Sequence, residues 1–230
     1  MKLRIFITIL LFTKVCLAQD SLKVSQFKTR IISFSFSPIK KEKVNGFSLS
    51  LINIPEEHSQ IFNGINIELL EAGWTTPFVF LDNSNYIENT KTNHTINGFS
   101  LGPTLFNGNA NGLMISLINT SYSFNGIKCG LVNVSFYKSK GLQLGILNFN
   151  LEEFNVVSIG LYNQSSVFFG LEIGLINKVE ILNGVQIGIV NKTKSLAGLQ
   201  IGIFNKSLNK AFQIGVWNKN KKRSFPLINW

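Results

Sequence analysis

One short pattern recurs along most of this chain and constrains its fold more than any single residue does. In one-letter code it reads G-φ-x-φ-G-φ-φ-N, where φ is apolar, and it runs from about Gly98 to Asn218. Examples are KGLQLGILN, NGVQIGIVN and AGLQIGIFN, and successive copies along the chain start about 14 residues apart. Their leading positions are Gly98, Gly112, Gly126, Gly141, Val156, Gly170, Gly184, Gly198 and Ala211. This self-similarity predicts an architecture built from one small repeated unit.

Within each copy the residues alternate between two faces, which is typical of a β-strand. Leu199, Ile201 and Ile203 share one face, and the equivalent residues of nearly every other copy are apolar and uncharged. The opposite face carries a central polar or variable residue, which glycine follows two positions later in every listed copy except that of Met114. These central residues are Met114, Lys128, Gln143, Ser158, Glu172, Gln186, Gln200 and Gln213. Exposing an apolar side chain forgoes roughly 1.5–3 kcal/mol, so we expect the apolar side to be covered.

Two architectures fit this alternation: an antiparallel β-meander and a parallel β-solenoid with ladders of Asn and Gln along its stack. An extended strand from Gly198 to Asn205 spans about 23 Å. The return to Ala211 reaches at most about 21 Å, so a solenoid requires a bend near Gly202. We favour the all-β meander, closed as a barrel with its apolar side facing outer-membrane lipid, because strands of about nine to ten residues suit a tilted membrane span. The parallel β-solenoid is the alternative.

The exported chain is expected to form a single β domain. Residues 28–36, 46–53 and 61–70 alternate like the repeats and add strands to the N-terminal portion, residues 19–97. A polar stretch at residues 82–95 reads as a loop, where a specific partner would bind. Residues 98–230 hold the repeats and a C-terminal strand.

The N-terminus predicts export. Residues 1–18 combine Lys2 and Arg4, a short apolar core and the exit Cys16-Leu17-Ala18, which is typical of a secretory signal peptide. Cys16 also leaves lipoprotein modification open. Removing these residues takes away three bases and no acid, so the formal charge falls from +10 to +7. The remaining Cys129 has no second cysteine for an internal disulfide, and stability must come from packing.

The excess positive charge is concentrated in turns between the repeats. We favour solvated turns, and the alternative is contact with anionic headgroups or lipopolysaccharide phosphates. Outer-membrane lipid, lipopolysaccharide and an unidentified surface partner are therefore the candidate partners, whereas no nucleic-acid motif is present. The basic residues are Lys192, Lys194, Lys206, Lys210, Lys219, Lys221, Lys222 and Arg223.

The polar residues do not predict catalysis. Ser100 lies in a G-x-S-x-G sequence, but it occupies the central polar position of a predicted strand instead of a strand-to-helix turn. His58 and His94 fall in polar stretches and read as solvated loop residues. Glu68 and Glu172 could face a lumen or pair with Lys128. We expect no catalytic, cofactor or metal site, and no enzyme.

The last copies, GLQIGIFN and IGVWN with the ending SFPLINW, resemble a family of bacterial surface-repeat proteins from Gram-negative organisms. The resemblance covers residues 98–230, and Trp230 is similar to the final-strand signal of outer-membrane barrels. It implies an outer-membrane or cell-surface location and transfers no catalytic residue. We therefore expect an exported β-repeat protein with a structural, adhesive or pore role. A soluble or surface-tethered solenoid that serves as an interaction scaffold is the alternative.

Overall fold

The protein is an all-β chain in the computed structural model. The structure describes residues 27–36, 41–53, 60–71, 94–209 and 211–230, so the signal peptide predicted for residues 1–18 lies outside the described residues. Strands make up nearly all of the described chain. They are β1 (Lys28–Ser35), β2 (Glu42–Asn53), β3 (Gln60–Glu71), β4 (Thr95–Leu101), β5 (Thr104–Ile115), β6 (Ile118–Cys129), β7 (Val132–Ser135), β8 (Ser139–Leu144), β9 (Leu147–Ile159), β10 (Tyr162–Lys206), β11 (Phe212–Lys219) and β12 (Ser224–Asn229).

The strands form a parallel β-solenoid of about ten turns, and the predicted antiparallel barrel is wrong. From β1 to β11, every described strand pair is parallel. Equivalent repeat positions pair with one another, so Gly98 lies opposite Gly112, which lies opposite Gly126. Each repeat is therefore one coil, and the alternative architecture is confirmed.

Tight corners explain why the estimate of chain reach favoured the wrong architecture. That estimate kept the strand straight from Gly198 to Asn205. In the structure, Ile203 and Phe204 are both exposed although they are consecutive, and Asn205 then points inward. Two successive outward side chains mark a corner, which shortens the straight side and lets the coil close. Pairing continues through such corners, so β10 runs through 45 residues and several coils.

A ladder of buried asparagines holds the coils in register. The last residue of each repeat points inward, and its amide Nδ2 donates to the Oδ1 of the next asparagine at 2.7–2.9 Å. The same Nδ2 donates to a backbone carbonyl of the next coil at 2.8–3.0 Å. This asparagine ladder comprises Asn119, Asn133, Asn148, Asn163, Asn177, Asn191, Asn205 and Asn218.

A second polar column and an apolar column complete the interior. The central residues of the repeats point inward, and Gln213, Gln200 and Gln186 form a chain in which each donates to the preceding residue. The apolar column lies two residues before the leading position of most repeats and includes the stacked rings of Phe154 and Phe168, 5.7 Å apart. Both predicted ladders therefore exist, beside a narrow apolar core.

Both glycines of the repeat are required by close approach of neighbouring coils. Gly198 has φ +146°, and a Cβ there would overlap the carbonyl oxygen of Gly184. At the second glycine, a Cβ on Gly202 would overlap the carbonyl oxygen of Gly188 and would also lie 2.6 Å from Nδ2 of Asn191. Close stacking of the coils therefore explains the pattern of glycines and asparagines in the sequence.

The C-terminal strand covers the last coil. β12 pairs antiparallel with β11, and Asn229 Nδ2 donates to Gln213 Oε1 at 3.2 Å, which extends the glutamine column by one step. Arg223 Nε donates to Asn229 Oδ1, and its guanidinium lies 4.0 Å from the centre of the Trp230 ring. Pro226 places a residue without an N–H in this outer strand, which limits further strand addition. Trp230 therefore belongs to the segment that caps the solenoid, where its ring contacts Arg223.

Replacing a buried rung of the asparagine ladder should be costly. Asn177→Ala orphans the Oδ1 of Asn191 and one donor of Asn163, and it removes one hydrogen bond from the carbonyl of Ile187. We expect the free energy of unfolding in urea to fall by about 3–5 kcal/mol, since each buried unsatisfied group costs about 1–3 kcal/mol. The matched control is Asn111→Ala, which removes an exposed Asn–Asn bond of the same kind and should cost under about 1 kcal/mol. Equal losses of unfolding free energy in the two variants would contradict the stabilising role of the buried asparagine ladder.

Val156 offers the opposite test, because it stands where the aligned coils have glycine. It is held at φ 112°, which is unfavourable for a β-branched residue. Val156→Gly should therefore raise the free energy of unfolding by about 1–2 kcal/mol through relief of backbone strain. Val157→Gly, at a neighbour without positive φ, should lower it. A Val156→Gly variant that is less stable than the parent chain would show that the strain is not real.

Candidate functional site

The outstanding surface feature is a continuous apolar face along one side of the solenoid. It consists of the second, fourth and sixth residues of each repeat, and we call it the apolar face. In the last complete repeat these are Leu199, Ile201 and Ile203, so the grouping read from the sequence is confirmed. We expected this apolar side to be covered. In the structure, no other described part of the chain covers these residues, and Ile203 remains 42% exposed.

This face is also large. About ten coils at roughly 4.8 Å per strand and 3.3 Å per residue give a patch of roughly 50 by 15 Å, or about 750 Å². The largest apolar patch of a typical monomer is about 300–600 Å². A shallow groove of about 640 Å³ runs over the second glycines of the C-terminal coils, between rows of residues that include Ile187 and Ile189. The size and continuity of the patch mark it as the candidate site.

A column of lysines follows the corner that borders the apolar face. Each lysine comes directly after a ladder asparagine, and Lys206 is aligned with Lys219 in the paired strands. All four members are exposed: Lys178, Lys192, Lys206 and Lys219, which we call the lysine column. Between this column and the apolar face, Phe204 and Trp217 stand at the corner, each about half exposed. Lys210 lies outside the described residues.

Glu68 and Glu172, which were predicted to face a lumen or to pair with Lys128, lie with Lys128 in the packed interior. Lys128 is fully buried and donates from Nζ to the hydroxyls of Ser121 and Ser135 and to the carbonyl of Val134, at 2.7–2.9 Å. It also faces the Phe124 ring at 4.7 Å. Desolvation holds the pKa of Lys128 well below its usual value. None of these contacts is with a carboxylate, so the predicted pairing with Glu68 or Glu172 is wrong.

Glu172 replaces a glutamine in the buried column. Gln186 Nε2 donates to Glu172 Oε2 at 2.7 Å, and burial raises the pKa of this carboxyl to about 7 despite that hydrogen bond. Glu68 is likewise buried and accepts a hydrogen bond from Asn66 Nδ2 at 2.7 Å. Both residues serve the interior stack and are closed off from solvent.

The other singled-out residues do not assemble into a reactive site. Ser100 is buried in β4, at the central polar position of the coil, so its predicted place in a strand is confirmed. His94 was expected to be solvated, but it is fully buried 5.5 Å from the Phe62 ring. Cys129 lies half-buried on the apolar face as a free thiol. His58 lies outside the described residues, as does most of the polar stretch at 82–95.

Two kinds of feature, a membrane-spanning helix and a metal-binding cluster, are absent from the described residues. In the part of the chain that the structure describes, no helix has the length and hydropathy needed to cross a membrane. Within the same ranges, no three His, Cys, Asp or Glu side chains form a group that could hold a metal ion.

No protein-family model, curated protein or solved structure matches the chain significantly. Membership of the surface-repeat family therefore stays a prediction.

Glu172 gives the interior a pH dependence that can be measured. Its pKa is 4.5 in an ordinary environment and about 7 when folded, so between these values the unfolded chain loses a proton that the folded chain retains. Rising pH through this window should lower the free energy of unfolding by about 3 kcal/mol. Glu172→Gln, which gives this coil the residue that the three following coils have, should remove that slope and be more stable above pH 7. Glu180→Gln, on the surface, should leave the slope intact. A slope that survives Glu172→Gln would contradict the assignment.

Proposed function

We propose that this protein is an exported, non-catalytic interaction scaffold that works by placing its apolar face against a partner surface. Its β-solenoid supplies a rigid support of repeated coils. The proposal places it at the cell surface or outer membrane, in line with the sequence features of residues 1–18 and the resemblance to surface-repeat proteins.

The observation that carries this proposal is the contrast between sides of the same coil. The second, fourth and sixth positions are apolar and uncharged from Phe47 to Val216. Elsewhere around the coil, exposed positions take charged and polar residues such as Glu180, Lys194 and Ser195. The positions of the apolar face could hold polar residues in every coil, but none of the described coils has a charged residue there.

The dimensions of the face support binding as its role. A patch of about 750 Å² is close to the roughly 800 Å² that each partner contributes to a standard stable interface. An exposed patch of this size otherwise promotes aggregation. The proposal therefore requires that the face is covered in the cell.

The proposal leaves catalysis aside because the polar side chains of the repeats are committed elsewhere. The asparagine ladder and the glutamine column use their amide groups to join coils. Asn133, Asn191 and Asn205, which stand in Asn-x-Ser/Thr sequences of the kind that can be glycosylated, are themselves ladder members and are buried. In the proposed function, these side-chain amides have a structural role.

Hydroxyl-radical footprinting of the native chain tests whether the face is covered in cells. Ile189 and Ile203 are 43% and 42% exposed on the apolar face, and Ile181 is 51% exposed on another side of the coil. In the purified chain all three should be oxidised. In intact producing cells, Ile189 and Ile203 should be protected several-fold while Ile181 stays reactive.

Ile181 is the internal control, since general shielding by the cell envelope would protect all three residues alike. Equal oxidation of Ile189 and Ile203 in cells and in the purified protein would show that nothing binds the face. That result would overturn the proposed function.

A further inference from the structure

The net positive charge of residues 19–230 comes from the C-terminal end of the solenoid. Residues 154–230 contain nine Lys and Arg residues and two glutamates, whereas residues 19–153 contain ten of each sign. Of the two glutamates, Glu172 is buried and Glu180 Oε1 accepts a hydrogen bond from Lys194. The C-terminal coils therefore present a strongly basic surface.

The lysine column concentrates this charge next to the apolar face. Adjacent parallel strands lie about 4.8 Å apart, so its four ammonium groups project from neighbouring coils at similar intervals. A depression of about 360 Å³ lies among Lys178, Lys192, Lys194 and Lys206. Like charges at this spacing repel one another, and an anionic partner would relieve the repulsion.

The corner between the two surfaces has the composition of a membrane interface. Phe204 is 52% exposed and Trp217 is 48% exposed, and the next lysines, Lys206 and Lys219, follow two residues later. Two strand residues span about 7 Å. Peripheral structures that bind membranes insert apolar side chains about 5–10 Å into the boundary of headgroups and acyl chains, with aromatic residues and lysines at the headgroups.

The described residues of a second copy would not supply the matching charge. Among the residues whose side chains the structure describes, the carboxylates that are not buried are Glu152, Glu153 and Glu180. Glu153 lies 3.6 Å from Lys138, and Glu180 is paired with Lys194. A partner that is both apolar and densely anionic is needed, and a lipid bilayer with anionic headgroups combines both properties.

We propose that the C-terminal coils bind the surface of an anionic phospholipid bilayer. The apolar face of these coils rests at the boundary of the acyl chains, and the lysine column binds the headgroup phosphates. This inference rests on the proposed function, because it names the partner that covers the C-terminal part of the apolar face.

Vesicle flotation with the full chain tests the inference. Binding to phosphatidylcholine vesicles that contain phosphatidylglycerol should be strong at low salt, weaker at high salt, and much weaker without phosphatidylglycerol. Lys192→Gln/Lys206→Gln/Lys219→Gln should lower the partition coefficient about a hundredfold, since each lysine near an anionic surface contributes about one factor of five. Lys28→Gln/Lys43→Gln/Lys140→Gln removes the same charge outside the C-terminal coils and should change binding much less.

A second pair of variants tests the apolar contact. Ile189→Ser/Ile203→Ser should weaken vesicle binding at least tenfold, whereas Phe169→Ser/Ile181→Ser removes exposed apolar groups from other sides of the coil and should not. All four positions are partly exposed, so each variant is expected to fold, and circular dichroism with urea unfolding verifies it.

Three results would overturn the inference: no binding to phosphatidylglycerol vesicles, equal loss in both lysine triples, or binding to lipopolysaccharide alone. Light scattering separates this failure from that of the proposed function. A dimer that dissociates in Ile189→Ser/Ile203→Ser, without vesicle binding, would leave the apolar face as a docking surface and replace the bilayer with a second copy of the chain.

Discussion

The hydrogen bond between successive asparagines is the interaction on which the rest of this structure depends. Asn177 Nδ2 donates both to Asn191 Oδ1 and to the carbonyl of Ile187, so one amide fixes the side chain and the backbone of the next coil. A buried amide must find such partners, and here only an equivalent residue in register provides them. A slip of one residue would orphan the whole ladder, because alternate residues point to opposite sides. Register, coil length and the glycines that admit close stacking all follow from this requirement.

Much of the local structure could be predicted from the sequence, because alternation and glycine spacing are local signals. Leu199, Ile201 and Ile203 do share a face, and Gln200 does point the other way. The parallel topology was missed because alternation is the same in parallel and antiparallel sheets. The decisive signal was present in the two consecutive apolar residues before each asparagine. In Ile203-Phe204-Asn205 they break the alternation and mark the corner that lets a coil close.

The candidate site was harder to predict than the fold. The sequence shows which residues are apolar, but whether a face lies in a core or on a surface depends on how the chain closes in three dimensions. The lysine column was visible only as scattered turn charges, because its alignment arises when coils of 13 or 14 residues stack. His94 was misjudged for a similar reason. Its polar sequence neighbours suggested solvent, while the Phe62 ring that packs against it comes from another coil.

Folding alone does not account for the apolar face. The interior columns satisfy the requirements of stacking, and the outward rows gain only partial burial from their neighbours, since Ile187 and Ile189 stay 37% and 43% exposed. Threonine would fill such rows with comparable strand propensity and lower cost in water. The same coils accept lysine, glutamate and serine on their other sides, so the backbone does not forbid polar residues. We infer that what excludes polar residues from this side acts from outside the coil, and the partner surface proposed above would be a physical cause that meets this condition.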